Sequence, residues 1–123
     1  MILVDTSVWT DHLRASDEQM TQLLLAGQVL AHPFVIGELA LGKLRNRDRV
    51  LGALQDMPQA VVATESEVLR LIGQKTLFGL GMGYIDSHLL AAVLLTPGSW
   101  LWTRDKRLLT AGAQLGIAAN TPH

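Results

Sequence analysis

Met1-Ile2-Leu3-Val4-Asp5-Thr6-Ser7 is a short apolar run, two of its three core residues β-branched, stopped abruptly by a carboxylate and two hydroxyls. A run this short at a terminus suits a buried strand better than a helix. Asp5 then falls where a parallel sheet turns its carboxyl ends toward a ligand. Trp100-Leu101-Trp102-Thr103-Arg104-Asp105 is similar near the other end of the chain: three apolar residues, then Thr and Arg, then an Asp.

Outward from these two stretches, helical and extended patterns alternate. A helix is predicted over residues 7–14. A second follows a Ser16-x-x-Gln19 capping box, carries Met20, Leu23 and Leu24, and stops at Gly27. Residues 29–31 read as a strand, and Pro33 suits the first turn of a helix reaching Gly42. Another helix is predicted over residues 48–55 and a strand over residues 60–63. Thr64-x-x-Glu67 is a second capping box, opening a helix with Val68, Leu69 and Ile72 on one side. The glycine-rich residues 78–83 make a loop before a very apolar helix over residues 84–95, which Pro97-Gly98 ends. Residues 100–102 form a strand, 103–113 a helix and 117–119 a last short strand. The expected architecture is a single α/β domain spanning residues 1–123, a three-layer sandwich with a short, mainly parallel central sheet flanked by helices.

Composition narrows the chemistry. With 123 residues the chain supports one core, built from Leu, Val, Ile and Ala because aromatics are only 5% of it. The absence of Cys excludes disulfides, thiolate metal sites and cysteine nucleophiles, and fits a reducing compartment. No basic segment precedes the apolar start, and both nearly uncharged stretches contain Gly or Pro together with a carboxylate; a soluble, cytoplasmic protein is expected, with no membrane contact. The net charge of −1 and pI near 6.4 confine any nucleic-acid binding to local patches: Lys43, Arg45, Arg47 and Arg49 form one, Arg104, Lys106 and Arg107 another. A mean hydropathy of +0.27 leaves apolar surface for a dimer contact or a second protein.

Glu65 and Glu67 after Thr64, and Asp17 and Glu18 after Ser16, have a structural role at helix starts. Four other acids stand out as lacking one. Glu38 has Phe34, Val35 and Leu41 as its helix-face neighbours and is expected to point inward, with no basic residue within a turn. Asp86 is the only charged residue between Lys75 and Arg104, and stands at the start of an apolar helix where an N-cap role is the simpler alternative. Asp5 and Asp105 follow strands. If these elements form, Asp5, Asp86 and Asp105 share one sheet edge and Glu38 reaches it from a neighbouring helix. Four carboxylates brought together either hold protons or require a divalent cation, and a hard ion such as Mg2+ or Mn2+ suits oxygen donors. His88, two residues from Asp86, faces another way and is assigned to structure; His12, His32 and His123 show no ligand spacing.

These residues resemble the PIN domain, and in particular the VapC toxins of bacterial toxin–antitoxin pairs. The carriers are Val4-Asp5-Thr6-Ser7-Val8-Trp9, Ile36-Gly37-Glu38-Leu39, Tyr84-Ile85-Asp86-Ser87-His88-Leu89-Leu90-Ala91-Ala92 and Leu101-Trp102-Thr103-Arg104-Asp105-Lys106-Arg107-Leu108, four motifs in order over nearly the whole chain. The resemblance implies a Mg2+- or Mn2+-dependent endoribonuclease with Asp5, Glu38, Asp86 and Asp105 as catalytic and metal-binding acids, and Ser7 and Thr103 as supporting hydroxyls. It also implies a VapB-like antitoxin partner and a toxin homodimer, able to join a larger toxin–antitoxin assembly. Lys43, Arg45, Arg47, Arg49, Arg104 and Lys106 are the expected RNA-binding residues. The pattern departs at Arg107, where many relatives carry a further acid, so one metal ion or two stays open. Two rival readings exist. A phosphoacceptor signalling domain needs an Asp ending a central strand, and residues 60–63 run into Thr64 without one; a silent interaction module would show little metal-linked stabilisation.

Overall fold

The computed structural model describes residues 1–120; His123 lies outside them. Its centre is a three-stranded parallel sheet in the order β2-β1-β3, with β1 (Ile2–Val4) in the middle, β2 (Val29–Leu30) on one side and β3 (Trp100–Trp102) on the other. Ile2 and Leu3 pair with Val29 and Leu30; Ile2, Leu3 and Val4 pair with Trp100, Leu101 and Trp102. This register puts the residues after Val4 and after Trp102 at one end of the sheet, the convergence the two opening stretches predict. Among the described residues seven helices complete an α/β sandwich: α1 (Thr6–Arg14), α2 (Glu18–Leu25), α3 (Pro33–Ala40), α4 (Arg47–Asp56), α5 (Glu65–Gln74), α6 (Tyr84–Leu95) and α7 (Lys106–Gln114).

The two outer strands expected from sequence shrink to single bridges, Ala31 with Gln59 and Leu101 with Ala118. At the first, the Val61 amide donates to the Thr96 hydroxyl at 2.9 Å instead of to a neighbouring strand. Val61 and Val62 are exposed while Ala60 and Ala63 are buried, so the side chains do not alternate as a strand requires. At the second, Leu101 donates to Ile117 O and accepts from the Ala119 amide, and the pairing goes no further.

Local chemistry sets the helix starts. The α5 capping box forms as expected: the Thr64 hydroxyl accepts from the Glu67 amide and the Glu67 carboxylate accepts from the Thr64 amide. At α2 the cap is Asp17 rather than Ser16, its carboxylate accepting from the Met20 amide at 2.9 Å. The Asp side chain reaches the third amide and leaves a second oxygen for another partner. Pro33 opens α3, where the His32 ring accepts from the Phe34 amide. Asp105 caps α7, so that helix begins at Lys106 and not at Thr103.

Helix α6 is buried from Ser87 through Val93. A helix apolar on every side has to sit inside the molecule, and with Leu3, Val4, Leu101, Trp102 and Leu108 it belongs to one continuous core. His88 is part of that packing, its ring edge-on to Phe34 at 4.7 Å and to Tyr84 at 4.8 Å. Among the described residues no helix is long and apolar enough to cross a membrane.

Candidate active site

Asp5 ends β1 and is buried. One of its oxygens, Oδ2, accepts from the Thr103 hydroxyl at 2.7 Å and the Ser7 hydroxyl at 2.9 Å. Each hydroxyl has one proton, and each sends it to Asp5. Their lone pairs then accept backbone amides, Thr103 from Asp105 at 3.1 Å and Ser7 from Arg104 at 3.0 Å. The result is a rigid bracket joining the ends of β1 and β3. It fixes the Asp5 rotamer and leaves Oδ1 without a hydrogen-bond partner among the described residues. Ser7 and Thr103 thus stand against Asp5, beside Asp105.

Asp86 is the third residue of α6. Gly83 holds the N-cap position, so the simpler reading of Asp86 as an N-cap does not describe it. Its carboxyl is pushed up to about 6, first by burial and then by the negative charges of Asp5, Asp105 and Glu38, with the Gly83 backbone opposing part of the rise. Those three charges are the acids that the sequence singled out, and Asp86 lies within the field of all of them. None of the four has a Lys or Arg within ion-pair distance among the described residues.

Glu38 corrects an expectation. It is exposed and points away from the interior, where the Thr6 hydroxyl donates to Oε1 at 2.7 Å. Helix α3 buries the stripe formed by Val35 and Leu39, and Glu38 lies beside that stripe. Leu41, counted as an apolar neighbour, is the C-cap residue and 90% exposed. Thr6 is the residue that sequence reasoning missed; the only signal was a hydroxyl directly after Asp5 on the same helix start. Asp105 is also exposed, one oxygen committed to the Leu108 amide.

The donor set suits a hard divalent ion: four carboxylates, two hydroxyls, no thiolate, and no counter-cation in contact. The side chains converge without closing on one point, since no three His, Asp or Glu groups among the described residues stand together as a ready-made cage. Oxygen donors of this kind are those Mg2+ takes, one or two carboxylates directly with several of its waters kept.

The basic residues divide. Arg104 is not free to reach an RNA backbone: its guanidinium is clasped by Asp11 at 2.8 Å and Asp17 at 2.9 Å, and lies over the Trp102 ring at 5.5 Å. Its role here is to tie α1 and α2 to the end of β3. Arg47 donates to Ala40 O at 3.3 Å, bracing the turn between α3 and α4. Arg107 donates to Gly81 O at 3.1 Å, fastening the glycine loop to α7. Lys43, Arg45, Arg49 and Lys106 are exposed and make no ion pair among the described residues. Arg104→Gln is therefore expected to cost about 1 kcal/mol of stability, as partly exposed ion pairs do, with RNA affinity unchanged. Urea denaturation and a binding isotherm check it, and a salt-dependent loss of RNA affinity would restore Arg104 to the RNA surface.

The PIN domain family model matches residues 2–113. Ribonuclease VapC32 of Mycobacterium tuberculosis, in strains CDC 1551 / Oshkosh and ATCC 25618 / H37Rv, is 52% identical over 118 residues, 96% of this chain and 95% of the relative. A parallel sheet with acids at its carboxyl edge, a family match over most of the length and a relative this similar end to end agree, and the chain belongs to the PIN domain family, in its VapC branch.

Proposed function

We propose that this protein is the toxin of a type II toxin–antitoxin pair, a Mg2+- or Mn2+-dependent endoribonuclease that hydrolyses RNA phosphodiester bonds at Asp5, Glu38, Asp86 and Asp105. The observation that carries the reading is the gathering of Asp5, Asp105 and Glu38 around the half-buried Asp86, whose carboxyl is raised first by burial and then by those three charges, with no basic residue in ion-pair contact among the described residues. That is a site short of positive charge. The similarity to a protein named as a ribonuclease supports the choice of substrate.

When bound, the divalent ion supplies charge that eases attack by water at phosphorus and offsets charge gathering on the phosphate oxygens. Asp5, Asp86 and Asp105 would hold it. Ser7 and Thr103 keep Asp5 in one orientation throughout, so its carboxylate is placed before substrate arrives. Glu38, exposed and fixed by Thr6, would help to hold the ion or take the proton that the attacking water gives up. Exposed Lys43, Arg45, Arg49 and Lys106 meet the RNA backbone, with affinity falling as salt rises. A VapB-like antitoxin, a homodimer and a cytoplasmic setting complete the reading, by likeness to the VapC branch.

The test is cleavage of structured and single-stranded RNA with Mg2+, Mn2+ or EDTA. Cleavage is expected with either ion and lost in EDTA and in Asp5→Asn. Cutting that persists in EDTA, or an Asp5→Asn protein as active as the parent, would sink the assignment.

A further inference from the structure

Next to the acid set, a hollow of about 380 Å3 opens between α1, α3, α4 and the turn that joins α3 to α4. Leu13, Leu39, Leu44 and Val50 give it an apolar floor, and the polar side chains of Thr6, Thr10 and Arg14 line it as well. Lys43 and Arg45 line it too, both exposed and without an ion-pair partner among the described residues. Glu38 belongs both to this hollow and to the group of charges around Asp86, so the two places share a wall.

The turn that carries the cations is held in shape. Asn46 sits in the left-handed region at φ 52°, which non-glycine residues adopt sparingly, and the Arg47 guanidinium ties the turn back to Ala40 O. Four of the ten basic residues fall within positions 43–49 of a chain whose net charge is −1. Positive charge is thus gathered at one rim and kept there by a braced turn.

Resting on the nuclease reading above, we infer that this hollow seats one nucleotide of the RNA strand beside the bond that is cut. The sugar or base lies on the apolar floor and the phosphate between Lys43 and Arg45. The volume stands at the small end of ligand sites, which run from roughly 300 to 1,000 Å3, and it admits one nucleotide unit rather than a helix. Glu38 repels a phosphate at the shared wall, which places the bound phosphate at the lysine and arginine end and the next one toward Asp5 and Asp86. Packing against Leu13, Leu39, Leu44 and Val50 holds a base by shape more than by hydrogen bonds, so the pocket anchors single-stranded RNA more than it spells a sequence.

The experiment follows the methyl signals of Leu13, Leu39, Leu44 and Val50 in the isotope-labelled full chain. It is titrated in EDTA with the 5′-phosphorylated dinucleotides pApA and pUpU, and with inorganic phosphate as the control. At least one dinucleotide is expected to shift these methyls, phosphate alone is not, and Lys43→Gln/Arg45→Gln, which alters only exposed side chains, should weaken binding fivefold or more. The same double variant should raise KM for RNA cleavage with kcat within twofold of the parent. Methyls that stay still for both dinucleotides, or an unchanged affinity and KM in the double variant, overturn the subsite even if the parent cuts RNA. An acidic peptide that moves these methyls where both dinucleotides do not assigns the hollow to a protein and also overturns it. A parent that seats a dinucleotide but cuts no RNA with either metal supports the subsite and sinks the nuclease reading instead.

Discussion

Asp86→Asn is expected to lower RNA cleavage about a thousandfold while making the ion-free protein more stable than its parent. The two effects have one cause. The Asp86 carboxyl titrates at about 6, against an ordinary value of 3.8, because it is partly buried and faces three other acids. At pH 7.5 it is ionised in a place that disfavours its charge, and each unit of such a shift corresponds to about 1.4 kcal/mol. Asparagine keeps the size and removes the charge; with solvent screening of this half-exposed group taken into account, the ion-free fold should gain about 1 kcal/mol. The reaction loses a carboxylate from the set that holds the ion, and with it several kcal/mol of transition-state stabilisation, which is about three powers of ten in rate. Urea unfolding in EDTA and single-turnover cleavage in Mn2+ measure the two sides. A variant that is less stable and inactive would mark Asp86 as structural, and one that is more stable and fully active would remove it from the reaction.

Magnesium or manganese should raise the unfolding temperature of the parent, and the gain should be larger at pH 7.5 than at pH 5. The native state holds its proton on Asp86 up to about pH 6, whereas the unfolded chain releases it near 3.8. Between those values the native state binds more protons, so the stability of the ion-free protein falls as pH rises and levels off above about 6. A divalent ion works against this trend, because it binds the ionised site that the rising pH creates. At an ion concentration of 100 times Kd the stabilisation is about 2.7 kcal/mol, on the order of 10 °C for a domain of this size. At pH 5 the proton competes and the gain shrinks; in Asp5→Asn and Asp86→Asn it should nearly vanish. Equal stabilisation at both pH values, or in the variants, would mean that the ion binds elsewhere.

Both results depend on placement, and placement was only partly legible in the sequence. The strand ends at Asp5 and Asp105 were readable because a three-residue apolar run followed by an acid has few alternative structures, and parallel pairing of two such runs puts their ends together. Helix α6 was readable because a long stretch with one charge has to be buried, and that made Asp86 conspicuous. The outer strands at 60–63 and 117–119 were over-read, since β-branched content cannot report whether the next amide bonds to a strand or to a hydroxyl such as that of Thr96. Glu38 was given the wrong direction, because Leu41 was counted in an apolar face that in fact ends at Leu39.

What the sequence determined by itself, then, was the order of the helices and of the three central strands, the family, and which four acids lacked a local structural account, because local patterning and the order of motifs along the chain are one-dimensional information. What only the tertiary structure decided was how each charge is employed. Arg104 is spent on Asp11 and Asp17, residues 93 and 87 positions away, while Lys43 and Arg45 stay available. Asp5 is oriented by Thr103, 98 positions distant, and the Asp86 carboxyl rises first through its burial and then through acids on three other segments. Electrostatic and hydrogen-bond energies depend on distance through space, and residues far apart in the chain acquire that distance only when it folds.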